Sequence, residues 1–168
     1  MRAARNRVAD RANRFEACVV IETETDPPPP RLPEPGQKIP AQEFGPFDRE
    51  ALKRYAIVSG DDNPLHLDPN AAKAAGLKDT PVHGMLMLSF FEPYILGWRS
   101  DLFIAQLSAK FLNQVLAGQT IRISGRIVSR RITPRPELVL RLIAHGPNDT
   151  LAIVGEATVL WNTAGGFS

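Results

Sequence analysis

The chain has 168 residues, 43% of them hydrophobic, which suits one domain of ordinary size with a real core. Lys and Arg number 20 against 18 Asp and Glu, a formal charge of +2 that asks for no nucleic-acid partner. The lone cysteine, Cys18, excludes an intrachain disulfide and fits a reducing, cytoplasmic compartment, and the most apolar run, Met85 to Phe91, is far short of the roughly 18–20 residues of a membrane span.

The first segment, MRAARNRVADRANR, carries five arginines and one acid, Asp10. It has no secretory h-region, and it is poorer in Ser than a transit peptide usually is. A flexible or locally helical basic arm is the first reading and a mitochondrial address the second. DPPPPRLPEPG, Asp26 to Gly36, follows. Proline lacks the N–H a sheet needs, so this tract reads as a polyproline-like spacer. Residues 1–35 are therefore expected to be arm and linker, and residues 36–168 one compact domain.

FDREALKRYAIVSG reads as a short helix capped by Asp48 and stopped before Gly60. Leu52 and Tyr55, with Ile57 and Val58, supply its inward side. DPNAAKAAG is a second short helix, with Asp68 as N-cap, Pro69 first and Gly76 closing it. From Val82 to Phe91 the chain is uncharged and apolar almost all round, which predicts a helix buried on every side, kinked or ended by Pro93.

Period-two alternation takes over from there. Phe103, Ala105, Leu107, Ala109 and Phe111 share one face. Ile121, Ile123 and Ile127 oppose Arg122, Ser124 and Arg126. Leu138, Leu140 and Leu142 share a face, as do Leu151, Ile153, Ala157, Val159 and Trp161. Four strands with short turns predict an antiparallel sheet wrapped around the apolar helix, an α+β domain.

The chemistry concentrates in SGDDNPLH, Ser59 to His66. Asp61 and His66 flank the turn-forming Asn63-Pro64, which can bring both side chains to one side. A carboxylate and an imidazole converging on one water form a general acid/base pair, and the carboxylate would raise the histidine pKa. The same residues also fit a plain turn aspartate and a half-buried histidine. TPVHG, Thr80 to Gly84, opens the apolar helix, so the Gly84 N–H points at whatever lies beyond the helix start. That suits an oxyanion. It equally suits a glycine that permits tight packing, with His83 capping or packing. No Cys/His cluster has metal-ligand spacing, and no Gly-rich nucleotide loop is present.

The stretch YAIVSGDDNPLHLDPNAAKAAGLKDTPVHGMLMLS resembles the signature of the MaoC-like, (R)-specific enoyl-CoA hydratases. The matching elements are Tyr55, Ser59-Gly60-Asp61, Asn63-Pro64-Leu65-His66, Asp68, the Ala-rich helix to Gly76, and Val82-His83-Gly84-Met85. A looser likeness runs from about Gly36 to Trp161, with Lys110-Phe111-Leu112 and Gly118 resembling the later part of the family pattern. The resemblance implies a hot-dog fold, an antiparallel sheet wrapped around a long central helix. It implies Asp61 and His66 as the catalytic dyad, Gly84 as the oxyanion donor and Asn63 as support for the dyad loop. The implied reaction is hydration of trans-2-enoyl thioesters to (R)-3-hydroxyacyl thioesters, or its reverse, within fatty acid metabolism.

No cofactor is implied beyond coenzyme A as part of the substrate. The thioester carrier is expected to be CoA, with acyl carrier protein as the alternative, and the assembly a homodimer. Met85, Leu88 and Phe91 are candidates to line the acyl pocket, and Arg122 and Arg126 to meet coenzyme phosphates. Where family members often carry a small polar residue one turn after Ser89, this chain reads Phe90-Phe91-Glu92-Pro93, which puts substrate range in doubt. A non-catalytic thioester-binding subunit is a second reading, against which the intact dyad argues. A thioesterase is a third, with Glu92 as the one acid on the central helix.

Overall fold

Leu102 to Trp161 supplies four long strands, and a fifth precedes the helices. The computed structural model describes residues 33–132 and 136–161, so most of the expected N-terminal arm lies outside the described residues. The elements are β1 (Lys38–Phe44), α1 (Arg49–Ser59), α2 (Pro64–Leu67), α3 (Pro69–Ala74), α4 (Gly84–Ser89), α5 (Phe91–Trp98), β2 (Leu102–Phe111), β3 (Ile121–Arg131), β4 (Glu137–His145) and β5 (Leu151–Trp161). The sheet is antiparallel in the order β1-β3-β4-β5-β2. Its inner face packs Ile121, Ile123, Ile127, Leu138, Leu140, Leu142, Ile153, Ala157 and Val159 against Met87, Phe91, Tyr94 and Ile95 of the central helices. This is the expected hot-dog arrangement.

β1 is absent from the sequence reading because Pro40 sits inside it. The ladder to β3 shifts register between Ile39 and Gln42, so Pro40 and Ala41 form an irregularity on an edge strand, where proline is tolerated. Just before β1, the Gly36 N–H donates to the Ile127 carbonyl at 2.8 Å and Arg130 pairs with Glu34.

The central helix differs from expectation in two ways. It is two segments meeting at Phe90, and Pro93 lies inside the second. A proline ring clashes with the carbonyl four residues back, here Ser89, so one continuous helix through Ser89 and Pro93 is disfavoured. In the first turn of α5, Pro93 lacks only an N–H that has no intrahelical acceptor anyway. Nor are the helices buried all round. Met87, Phe91, Tyr94 and Ile95 face the sheet, while Met85 is 57% exposed.

Two facing expectations also change. In α1, Leu52 and Ala56 are buried and Tyr55 half-buried, but Ile57 and Val58 are exposed, since they fall on the far side at 100° per residue. In β2 the register shifts between Ile104 and Gln106. The extra residue, Ala105, reverses the parity of the strand. Leu102 and Ile104 point inward before it, Leu107 and Ala109 after it, and Phe103 is turned outward. The other three strands face as expected except at the start of β5, where a register shift opposite Ala144 and His145 buries Ala152 beside Ile153 and leaves Leu151 only partly covered.

Candidate active site

α1 delivers the chain to the site. The Asp48 side chain caps its start by accepting from the Ala51 N–H at 2.7 Å, and Gly60 ends it in the left-handed region at φ 74°. Asp61 follows at once. Asn63 then caps the one-turn helix α2, its Oδ1 accepting from the Leu65 N–H at 3.0 Å while its carbonyl accepts from the His66 N–H. Asp68 caps α3 as expected. His66 is thus held on a helical turn, where the sequence suggested only a bend.

A second segment meets this one. Val82 N–H donates to Val115 at 2.7 Å, Ala117 N–H donates to Thr80 at 2.9 Å, and Pro81 bridges to Leu116, which fixes TPVHG against the chain before β3. Asp79 accepts from the Thr80 N–H and pairs with Arg49, and these contacts, the first above all, hold its carboxyl below the usual carboxylate range. His66 Nδ1 lies 2.8 Å from the Pro81 carbonyl oxygen. A carbonyl only accepts, so Nδ1 carries the hydrogen and Nε2 of the neutral ring presents a free lone pair. That is the tautomer a general base needs.

His83 is the residue the sequence reading undervalued. It is 1% exposed, and its Nε2–H donates to the Asp61 carbonyl at 3.1 Å. Its ring stacks on that of His66, centroids 4.1 Å apart, and Tyr55 packs on it at 4.9 Å. Burial pushes its pKa down, with the nearby His66 adding to that, against the Asp61 carbonyl and carboxylate. Its Nδ1 is buried without a hydrogen-bond partner among the described residues. The signal available in the sequence was a histidine immediately before the helix-opening glycine.

One carboxylate oxygen of Asp61 and one ring nitrogen from each of His66 and His83 lie within 4.8 Å of one another. A divalent cation is poorly served by this set. Stacked rings hold their lone pairs in two nearly parallel planes, here with centroids 4.1 Å apart, whereas an ion bound by both must lie close to both planes. A water between Asp61 and His66 fits better.

Gly84 is the first residue of α4, and its N–H has no intrahelical acceptor. A Cβ there would lie 3.0 Å from Cε1 of Phe111, so the ring of Phe111 covers one side of this backbone. With only six residues, α4 has a small dipole, and the single amide matters more than the helix behind it. Met85 and Leu88 continue from Gly84 into a groove of about 370 Å³, shared with Tyr55, Ser89, Glu92, Ile104 and Leu107.

Phe91 does not join that groove, contrary to expectation. It is fully buried with its ring against Gly155, because it lies on the sheet-facing side with Met87 and Ile95. Arg122 and Arg126 lie on the polar face of β3, opposite the core-facing isoleucines. Arg122 is paired with Asp149, and Arg126 lines a separate cleft with Lys38 and Arg141.

Residues 31–140 match the MaoC like domain family. The chain is 34% identical over 116 residues to a mitochondrial 3-hydroxyacyl-[acyl-carrier-protein] dehydratase of Arabidopsis thaliana, covering 68% of this chain and 70% of that protein. It is 32% identical over 117 residues to the (R)-specific enoyl-CoA hydratase of Aeromonas caviae, covering 67% and 85%. The solved (R)-hydratase from A. caviae involved in PHA biosynthesis superimposes with a TM-score of 0.70 at 28% identity, over 78% of this chain and 98% of that one.

Proposed function

The chain belongs to the MaoC-like domain family, and on that premise we propose that it is a hydro-lyase interconverting trans-2-enoyl thioesters and (R)-3-hydroxyacyl thioesters. The observation that carries the proposal is the convergence of the Asp61 carboxylate and the His66 ring beside a peptide N–H with no helical acceptor at Gly84. His66 Nε2 takes a proton from a water oriented by Asp61. The water oxygen bonds to C3, the C2–C3 π pair shifts to C2, and the thioester carbonyl draws charge onto its oxygen. The Gly84 N–H stabilises that oxygen. The proton held by the dyad then goes to C2 on the face the water attacked. Dehydration is the same path reversed.

The carrier is coenzyme A in this reading. Acyl carrier protein is a second reading, favoured by the similar identity to the Arabidopsis dehydratase. The assembly is a homodimer built through β2, an edge strand of ten residues whose inner side also lines the groove. The opposite edge, β1, is interrupted by Pro40 and carries Lys38, both of which oppose edge pairing. Among the described residues no helix is long and apolar enough to cross a membrane.

Loss of enoyl-thioester absorbance, followed with crotonyl-CoA and longer 2-enoyl-CoAs, tests the reaction. Turnover in the wild type, falling by about 10²–10⁴ in both Asp61→Asn and His66→Gln, is the expected result. Folded protein that turns over neither CoA nor carrier-protein thioesters would remove the proposal.

A further inference from the structure

We propose that Glu92 limits the acyl chain this site accepts, so that its substrates are short 2-enoyl thioesters. The inference rests on the thioester reading above and refines it. The groove begins at Met85, next to the Gly84 N–H assigned to the thioester oxygen, and follows the helices to Glu92. Met85 to Glu92 spans about 10 Å at the helical rise per residue, a length the break at Phe90 changes little. Along that distance the walls are mostly apolar, formed by Met85, Leu88, Ile104 and Leu107, with Tyr55 beside them and the Ser89 hydroxyl already bonded to the Leu86 carbonyl. Each methylene a substrate adds there is favoured by burial.

At Glu92 the gain stops. Its side chain makes no hydrogen bond or ion pair among the described residues, so water is what satisfies its carboxylate. Glu92 is exposed, so an alkyl tail reaching this point meets a hydrated carboxylate instead of an apolar wall; it displaces part of that water and offers no donor in return, which offsets what a further methylene would gain. Two nearby features leave no bypass on the inner side. Phe91 fills the space towards the sheet, its ring against Gly155, and Ile95 is buried beside it.

The test is kcat/KM of the full chain on 2-enoyl-CoAs from crotonyl to dodecenoyl, for the wild type, Glu92→Leu and Glu92→Gln. Glu92→Gln removes the charge at nearly constant shape and covers the case in which Glu92→Leu folds poorly. The wild type is expected to favour crotonyl over dodecenoyl. Glu92→Leu should raise the dodecenoyl-to-crotonyl ratio by about tenfold or more, with Glu92→Gln between the two. A ratio unmoved in both variants while crotonyl is turned over, or a wild type that already prefers dodecenoyl, overturns the length limit and leaves the hydratase standing. A wild type silent on every thioester overturns both.

Discussion

The imidazole of His66 lies stacked on that of His83, centroids 4.1 Å apart and planes 28° from parallel, while His83 Nε2 reaches the Asp61 carbonyl at 3.1 Å. One buried ring therefore supports both members of the proposed dyad: the face of His66 and the backbone of Asp61. Burial keeps His83 neutral, so His66 can accept a proton without a charged ring stacked against it.

Replacing His83 separates these two supports. His83→Phe keeps an aromatic plate behind His66 and removes the donor to Asp61; His83→Ala removes both. We expect kcat to fall about tenfold in the first and about a hundredfold in the second, with smaller changes in KM, as for groups that orient rather than bind. Steady-state kinetics on crotonyl-CoA measure the split. Equal, small losses in both variants would leave His83 as packing alone.

The same ring links stability to pH. Its folded pKa lies below the ordinary 6.5, so below 6.5 the unfolded chain binds a proton that the folded one resists. Stability from this group is present above 6.5 and is lost as pH falls through the depressed folded value. Thermal melts of the wild type should therefore drop more steeply on acidification from 6.5 than melts of His83→Phe. Parallel curves would contradict the assignment.

Asn63 acts through His66. Its side chain caps α2 and its carbonyl receives the His66 N–H, so the turn that aims the imidazole starts there. Asn63→Ala should cost about 1 kcal/mol of stability and about tenfold or more in kcat; Asn63→Asp, which also caps well, should recover most of both. Failure of aspartate to rescue would point to a role for the amide N–H₂ instead.

The sequence displayed the helix caps Asp48 and Asp68 and most of the facing of three strands, because these depend on local chemistry and on alternation; Asn63 was legible only as a turn residue. It hid what depends on a neighbour. β1 is a strand only because β3 pairs with it despite Pro40. The inward face of β2 depends on the bulge at Ala105, which no local residue announces. Asp61 and His66 were legible as a pair from their turn. His83 was not, since its partners come from segments 22 and 17 residues away, Asp61 at its Nε2 and His66 at its face.

Gly155 shows how tightly the sheet receives the helices. A Cβ there would stand 2.8 Å from Cε2 of Phe91 and 3.1 Å from the Ser108 carbonyl oxygen. Phe91 is fully buried and the carbonyl belongs to the ladder, so neither yields easily. Gly155→Ala should destabilise the fold by about 2 kcal/mol, read as a lower urea midpoint at unchanged slope. Phe91→Leu in the same chain should recover part of the loss.

Gly84 presents the opposite case, where the neighbour can move. A Cβ at Gly84 would lie 3.0 Å from Cε1 and 3.1 Å from Cδ1 of Phe111, but Phe111 is 48% exposed at the end of an edge strand. The backbone of Gly84 is not in the left-handed region, so alanine meets no conformational strain there. Gly84→Ala should therefore cost under about 1 kcal/mol of stability, the ring swinging aside. Activity should suffer more, because the methyl group and the displaced ring crowd the N–H proposed to receive the thioester oxygen. A loss of about tenfold or more in kcat/KM is expected, and the double variant Gly84→Ala with Phe111→Leu should regain a good part of it. Coupling between the two substitutions, measured as a double-mutant cycle on kcat/KM, distinguishes this from a general packing defect. Strictly additive losses would mean that the ring of Phe111 has no part in how the Gly84 N–H meets its substrate.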